Sequence, residues 1–173
     1  MNKLYLHRFN TPLGEMVAAA TSKELYMLLF SDMDSFSITV KRIAHIHNLE
    51  IETSSNTVIN RLMEQLNQYF EGIRKDFDIP LAYSGSPFQL NVWHALKSIP
   101  YGQTITYHQL SVRLGDKNAI RAAAKANGAN CLLIVVPCHR VIGKDGKLTG
   151  YAGGINRKQT LLELESAVTK ALL

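Results

Sequence analysis

Cysteine is scarce in this chain of 173 residues, which contains two cysteines, Cys131 and Cys138. Two thiols seven positions apart, with a predicted strand between them, argue against a disulfide framework and favour a reducing environment. Neither these cysteines nor His139 has the paired CxxC or HxxxH spacing of structural zinc sites. We therefore expect no metal and no cofactor.

Long apolar runs are also missing. No stretch approaches the ~18 consecutive apolar residues of a transmembrane helix, so no membrane partner is expected. The first ten residues lack the apolar core and the small-residue cleavage site of a signal peptide. The chain is 46% hydrophobic and 19% charged, as in ordinary globular proteins. We expect a cytoplasmic protein.

The charge is unevenly divided along the chain. Residues 1–83 contain eight lysines and arginines against ten acidic residues, a net charge of −2. Residues 84–173 contain eleven against four, a net charge of +7. A basic half indicates an anionic partner, with nucleic acid as the leading possibility, although basic surfaces can also serve solubility alone.

The first half of the chain predicts a small antiparallel sheet with helices. Short apolar runs at residues 3–9, 15–20 and 25–30 are separated by turn residues, which is the pattern of hairpins. Apolar residues at helical spacing predict helices over residues 34–47 and 57–70. The fold class that follows is α+β.

A linker is predicted at residues 81–87, where the charge balance changes sign. We therefore divide the chain into a domain of residues 1–83 and a domain of residues 84–173. In the second domain, capping residues and breakers predict helices over residues 88–98, 107–113 and 119–126, the last capped by Asp116 or Asn118.

The last two of these helices resemble a helix-turn-helix motif. Lys117, Arg121 and Lys125 make the second helix basic, and its other side chains, such as Ala122, are small. A thin basic helix can approach DNA closely, whereas the alternative is tight helix packing with solvated charges. The Asp-Gly pair at 145–146 predicts a hairpin over residues 143–147 that can act as a wing on backbone phosphate.

The run Ile-Val-Val-Pro-Cys-His-Arg-Val at 134–141 predicts a buried strand that ends at Pro137 and presents Cys138. A thiol beside an imidazole is a candidate nucleophile, because the thiolate attacks and the imidazole can accept its proton. A buried structural cysteine is the alternative reading of these residues, and the run alone does not separate the two.

The motif Pro-Cys-His-Arg at 137–140 resembles the signature of the 6-O-methylguanine-DNA methyltransferase family. The resemblance covers nearly the whole chain. Its other motifs are Thr-Pro-Leu-Gly at 11–14, Gln-Tyr-Phe-Glu-Gly at 68–72, Ser-Pro-Phe-Gln at 86–89, Val-Trp at 92–93, Ile-Pro-Tyr-Gly at 99–102 and Tyr-Ala-Gly-Gly at 151–154. The family's zinc-binding N-terminal cysteines, present in some relatives, are absent.

This resemblance implies a monomeric suicide repair protein. Such a protein binds the minor groove of double-stranded DNA, flips the alkylated guanine out of the helix, and transfers the alkyl group irreversibly to Cys138. The family also accepts 4-O-alkylthymine more weakly. The implied fold is a ribonuclease-H-like N-terminal domain followed by a winged helix-turn-helix-like catalytic domain.

The resemblance also implies roles for particular residues. His139 is the base that acts on Cys138 through water, and Glu165 orients it. Tyr107 donates a hydrogen bond to the leaving guanine, and Arg121 fills the space that the flipped base leaves. The residues expected to contact substrate or DNA are Asn130, Val141, Tyr151, Ala152, Gly153, Lys117, Ala122, Lys125 and Arg140.

Within this second set, Asn130 is expected to lock the turn before Cys138, and the backbone carbonyls of Cys138 and Val141 are expected to read the exocyclic amine of guanine. The chain departs from the usual family pattern at Ala124, where glycine is usual, and at Cys131, where proline is common.

Two other functions remain open from the sequence. One is a DNA-binding regulator in which Cys138 senses alkylation or oxidation, although the chain lacks the fused regulatory domain that some relatives carry. The other is a cysteine hydrolase built on Cys138, His139 and Glu165, which has no visible oxyanion-hole motif and leaves the basic helix unexplained.

Overall fold

The computed structural model describes the backbone of residues 2–171 and the side chains of residues 2–166. The chain forms two compact units, residues 1–84 and residues 85–173, a division one residue after the boundary proposed from the sequence. None of the helices in the described residues has the length and apolarity needed to cross a bilayer. The predicted α+β class is confirmed.

The first unit is a four-stranded sheet with two helices. Its elements are β1 (Lys3–Thr11), β2 (Gly14–Ala20), β3 (Leu25–Phe30), α1 (Phe36–Ile46), β4 (Glu50–Thr53) and α2 (Thr57–Phe70). The strand order is β3-β2-β1-β4, with antiparallel pairing among the first three strands and parallel pairing of β1 with β4. The sheet is therefore mixed rather than purely antiparallel.

The core of this unit lies on β2, β3 and the apolar face of α2. Residues 16–20 of β2 are fully buried, and Leu62, Leu66 and Tyr69 of α2 are buried at helical spacing. Asn56 caps α2 by accepting a hydrogen bond from the Ile59 N–H at 2.9 Å, which satisfies an amide that has no partner within the helix. The helix begins and ends at the predicted residues.

The second unit is mostly helical. Its elements are α3 (Pro87–Lys97), β5 (Ile105–Thr106), α4 (Tyr107–Arg113), α5 (Ile120–Gly128), a 3₁₀ turn at Cys138–Arg140, β6 (Val141–Ile142), a second 3₁₀ turn at Lys144–Gly146, and α6 (Ile155–Ala171). β5 and β6 pair in parallel. Capping boxes start α3, at Ser86 and Gln89, and α4, at Thr106 and Gln109.

α4 and α5 form the predicted helix pair. Gly115 turns the chain between them with φ of 85°, a conformation that glycine adopts without a steric penalty. The predicted cap of α5 is wrong, because the N-cap residue is Ala119. Asp116 instead accepts a hydrogen bond from the Asn118 N–H at 2.9 Å and so shapes the turn before the helix.

The strand predicted before Pro137 is also wrong. Residues 131–136 form consecutive tight turns, in which the Val136 N–H donates to the Leu132 carbonyl at 2.9 Å and the Val135 N–H donates to the Leu133 carbonyl at 2.8 Å. Ile134 adopts φ of 71°, a strained conformation for a β-branched residue. The apolar side chains of residues 131–136 are buried in the core although the backbone forms turns, because burial of a side chain does not require a strand.

The predicted hairpin at residues 143–147 is a short loop. The Gly143 N–H donates to the Lys147 carbonyl at 2.7 Å, and Asp145 and Gly146 both have positive φ, so the Asp-Gly pair does turn the chain. No strand follows the turn, because β6 pairs with β5 instead. The wing is therefore a loop rather than a β-hairpin, and its residues 144–147 are exposed.

Candidate active site

Cys138 is held by the turns that precede it. Asn130 donates from Nδ2 to the Val136 carbonyl at 2.9 Å and accepts at Oδ1 from the Leu132 N–H at 2.9 Å. These two hydrogen bonds close the loop that leads to Pro137. Cys138 then begins the 3₁₀ turn and is 1% exposed. The side chain of Asn130 thus shapes the backbone under the thiol.

His139 and Glu165 form a buried pair. His139 is 0% exposed, Glu165 is 1% exposed, and His139 Nε2 lies 2.8 Å from Glu165 Oε1. An ionised carboxylate only accepts hydrogen bonds, so the proton of the neutral imidazole is on Nε2. His139 Nδ1 then carries a lone pair, and within the described residues it has no hydrogen-bond partner. The imidazole can therefore accept a proton at Nδ1.

Arg140 lies in this cluster and not on the surface, which corrects its predicted contact with DNA. It is 6% exposed, and it donates from Nε to Glu165 Oε2 at 3.0 Å and from Nη2 to Glu165 Oε1 at 2.9 Å. Its Nη1 donates to the Ile99 carbonyl at 2.8 Å. The guanidinium is thus engaged by acceptors inside the protein.

Lys158 of α6 is a site residue that the sequence reasoning missed. It is 0% exposed, and Nζ donates to the carbonyls of Val141, at 2.6 Å, and Gly150, at 3.1 Å. Its spacing to Leu161 and Glu165 places all three on one face of the helix. A lysine in register with buried residues was the signal that could have found it.

The two backbone carbonyls predicted to read guanine already accept hydrogen bonds within the protein. The Val141 carbonyl accepts from Lys158, and the Cys138 carbonyl accepts from the Val141 N–H and from Asn127 Nδ2 at 3.4 Å. A carbonyl oxygen has two lone pairs. The Cys138 carbonyl therefore has both lone pairs engaged in this arrangement.

A cavity of about 480 Å³ opens beside Cys138. Its lining residues are Tyr107, Ile120, Arg121, Ala124, Asn127, Gly128, Cys138, Thr149, Gly150, Tyr151 and Ala152. The Tyr107 hydroxyl donates to the Thr149 carbonyl at 3.1 Å, and the buried Tyr151 hydroxyl has no hydrogen-bond partner within the described residues. Space of this size is in the range that small-molecule sites occupy.

The structure brings together some of the predicted contact residues and separates others. Arg121, Tyr107, Tyr151 and Ala152 line the cavity with Cys138. The predicted contact residues outside the cavity lining are Lys117, Ala122, Lys125, Asn130, Arg140, Val141 and Gly153. Asn127 and Thr149 line the cavity although the sequence reasoning did not select them.

The cavity lies beside an exposed basic helix face. Arg121, Ala122 and Lys125 of α5 are exposed, as is Lys117 in the preceding turn, whereas Ala123 and Ala126 are buried. Trp93 fixes the buried side of α5 by donating from Nε1 to the Ala126 carbonyl at 2.9 Å. Both interpretations that the sequence left open therefore apply to this helix. Ala123 and Ala126 pack inside the protein, and Ala122 leaves the exposed face of the helix thin.

Burial sets the protonation of the thiol. It raises the pKa of Cys138 to about 11, although the Asn130 side chain and the charge of Lys158 oppose this shift. At neutral pH the thiol therefore keeps its proton, and attack by sulfur requires a base.

The histidine and the carboxylate have the complementary states. Burial lowers the pKa of His139 below its usual range, although its contact with Glu165 opposes this shift, so the imidazole is neutral at pH 7. Burial alone would raise the pKa of Glu165, but hydrogen bonds from His139 and Arg140 outweigh it and lower the pKa to about 2. The cluster therefore pairs a neutral imidazole with an ionised carboxylate, directly after a protonated thiol in the chain.

The donor set does not resemble a metal centre. In the part of the chain that the structure describes, no group of three or more histidine, cysteine, aspartate or glutamate side chains is arranged to hold a metal ion. His139 and Glu165 bond to each other, and Arg140 neutralises the carboxylate, so their lone pairs do not converge on a common point.

Comparison with known proteins assigns both units to domains of the same family. Residues 4–83 match the model for the 6-O-methylguanine DNA methyltransferase ribonuclease-like domain, and residues 87–167 match that for the DNA binding domain of the same family. A methylated-DNA–protein-cysteine methyltransferase of Methanosarcina acetivorans is 38% identical over 95% of this chain and 99% of the relative. One of Mycolicibacterium paratuberculosis is 54% identical over 64% of this chain and 67% of the relative.

A solved structure supports the same relationship. The crystal structure of Mycobacterium tuberculosis OGT in complex with DNA matches with a TM-score of 0.82 at 38% identity. The match covers 95% of this chain and 94% of that chain. The similarity therefore extends over both units.

Proposed function

Because the chain belongs to the 6-O-methylguanine DNA methyltransferase family, we propose that it repairs DNA by moving an alkyl group from the O6 atom of guanine to Cys138. The family predicted from the sequence motifs is confirmed. The observation that carries the proposal is the cavity, which places Cys138 in its wall and Arg121 of the exposed basic helix in its lining.

The reaction balances without a cofactor. The Cys138 sulfur forms a bond to the alkyl carbon, the bond from that carbon to O6 breaks, and its electron pair stays on the purine. The thiol proton passes to His139 and finally to N1 of guanine, which remains in the DNA strand as the ordinary base. The protein keeps a thioether, which is not regenerated, so each chain acts once.

His139 supplies the base that the high pKa of Cys138 demands. The lone pair on Nδ1 accepts the thiol proton, directly or through a water molecule. Glu165 then stabilises the imidazolium through the 2.8 Å contact with Nε2. The proton transfer and the sulfur attack are thus coupled in the buried site.

Tyr107 acts on the leaving group. Burial raises its pKa, so its hydroxyl keeps the proton and can donate a hydrogen bond to a ring nitrogen of guanine as negative charge develops there. The hydroxyl now donates to the Thr149 carbonyl, a contact that the substrate replaces. Tyr151 and Ala152, which also line the cavity, contact the base.

DNA binds along α5 in this proposal. Lys117 and Lys125 contact the phosphates that border the minor groove. Ala122 allows the helix to approach the DNA closely. Arg121 enters the base stack in place of the flipped base. The crystal structure of Mycobacterium tuberculosis OGT in complex with DNA supports DNA as the partner. The substrate is alkylated guanine and, more weakly, alkylated thymine, and the protein acts as a monomer in the cytoplasm.

Peptide mass spectrometry tests the proposal. After incubation with a duplex that contains 6-O-methylguanine, the peptide with Cys138 gains one methylene mass, while the peptide with Cys131 is unchanged. Cys138→Ser abolishes transfer and keeps DNA binding. A wild-type protein that binds the duplex with Cys138 unmodified contradicts the proposal and favours a lesion-sensing regulator.

A further inference from the structure

The Glu165 carboxylate is held from two sides. His139 Nε2 and Arg140 Nη2 both lie near Oε1, at 2.8 and 2.9 Å, and Arg140 Nε donates to Oε2 at 3.0 Å. The Gly102 N–H donates a longer bond to Oε2 at 3.4 Å. A bidentate guanidinium fixes both the position and the plane of a carboxylate.

Arg140 is itself fixed. Its remaining terminal nitrogen donates to the Ile99 carbonyl at 2.8 Å, and its guanidinium carbon lies 5.7 Å from the centroid of the Tyr101 ring. An arginine at 6% exposure with a carboxylate, a carbonyl and an aromatic face around it has little freedom to turn away. The orientation of Glu165 therefore depends on a rigid neighbour.

We propose that Arg140 is a positioning residue that keeps Glu165 ionised and oriented, so that His139 holds its proton on Nε2 and offers an unprotonated Nδ1 to the thiol of Cys138. This inference rests on the proposed function, in which His139 is the base. It gives Arg140 a role through Glu165 rather than through DNA.

The physical reason is that a buried carboxylate needs a cation. Without Arg140, the negative charge of Glu165 can be removed in two ways. Glu165 can take a proton and become neutral, or His139 can take a proton and balance the charge as an imidazolium. In the first case the carboxyl group can donate to Nε2, and the histidine proton moves to Nδ1. In the second case both ring nitrogens carry protons. Either way Nδ1 no longer accepts the proton of the thiol.

Other charged and titratable groups face this pair from each neighbouring segment. They are Cys138 and Arg140 on the 3₁₀ turn, Tyr101 after α3, Tyr151 before α6, and Lys158 on α6. Lys158 already donates to two carbonyls, so it does not replace Arg140 as a partner of Glu165. Arg140 contacts the carboxylate as a cation, with Nη2 2.9 Å from Oε1.

The test compares Arg140→Met, Arg140→Lys and wild-type protein by single-turnover methyl transfer across pH. We expect Arg140→Met to be at least tenfold slower at pH 7, with the acidic limb of the profile moved upward by at least one pH unit. Arg140→Lys keeps the cation and recovers part of the rate. Arg61→Met, which removes an exposed arginine paired with Asp78, is the matched control and keeps the wild-type profile.

The nitrogen NMR signals of His139 give an independent readout in the protein without DNA. Wild-type protein shows the proton on Nε2, and Arg140→Met shows it on Nδ1 or on both nitrogens. An unchanged tautomer and an unchanged profile shape overturn the inference, even if the rate falls uniformly. If Arg140→Met does not fold, Arg140→Gln and Arg140→Lys give the same comparison. Failure of wild-type protein to accept the methyl group contradicts the proposed function instead. The NMR result still decides whether Arg140 sets the position of the His139 ring proton.

Discussion

Two groups of cations in the second unit differ in burial and in task. Arg121, Lys125 and Lys117 are exposed, whereas Arg140 and Lys158 are buried and bonded to acceptors of the protein itself. The exposed group is available to phosphate. The buried group holds the carboxylate and the backbone around the thiol. The cations behind the net charge of +7 therefore include two groups with different functions, and their burial distinguishes one group from the other.

The largest expected effect comes from breaking the buried group at its anion. Glu165→Gln leaves Arg140 without its carboxylate, and we expect it to lower the unfolding free energy by about 3–5 kcal/mol at pH 7. The folded-state pKa of Glu165 is lowered to about 2, so its stabilisation is present above about pH 4.5 and is lost as the pH falls toward 2. Denaturant unfolding across pH measures this.

Glu163→Gln is the control for that comparison, since Glu163 lies on the same helix and is exposed. We expect it to change the stability by less than about 0.5 kcal/mol, as surface substitutions usually do. Equal effects of the two substitutions, or no dependence of the Glu165→Gln difference on acid, would contradict the picture of a buried ionised carboxylate.

The next effect concerns the thiol beside the buried cations. Because the pKa of Cys138 is raised from 9.0 to about 11, its contribution to stability is complete below pH 9 and is lost as the pH rises through 11. A shift of that size corresponds to about 3 kcal/mol. We expect wild-type protein to lose this stability relative to Cys138→Ser between pH 9 and 11, as measured by unfolding. Parallel curves would show that the thiol is not shielded.

The smallest effects belong to the exposed group. Lys125→Ala removes one phosphate contact, and we expect it to weaken all duplexes similarly and to reduce the slope of log affinity against log salt by about 1. Arg121→Ala should instead slow methyl transfer at least about tenfold, beyond its loss of non-specific affinity, because extrusion of a base costs a few kcal/mol. Binding and transfer assays on matched duplexes separate the two, and equal losses in both assays for Arg121→Ala would rule out its place in the stack.

Much of the fold could be predicted from the sequence where local signals were strong. Short apolar runs between turn residues located the first three strands. Apolar residues at helical spacing located α2 to the residue, and capping residues located α4 to the residue. β4 was missed because Glu50 to Thr53 form an exposed edge strand without apolar alternation. The loop before Pro137 was taken for a strand because its composition is β-branched, while its conformation depends on the distant contacts of Asn130 and on core packing.

The site was predictable to a different extent. The motif around Cys138 and its family resemblance selected His139 and Glu165, which the structure brings into contact with each other. The partners of Arg140 could not be read from the sequence, since Glu165 lies 25 positions away and no local pattern reports which cation a buried carboxylate meets. Basic residues look alike in a sequence, and their burial is decided by tertiary packing.

The most direct test of the account is the number of bases repaired by each protein molecule. Wild-type protein is mixed with a tenfold excess of duplex containing 6-O-methylguanine, and the restored guanine is counted over time. The account predicts a plateau at one guanine for each active chain, with the methyl group on Cys138. Continued repair beyond one equivalent would show turnover and would contradict irreversible transfer to the cysteine.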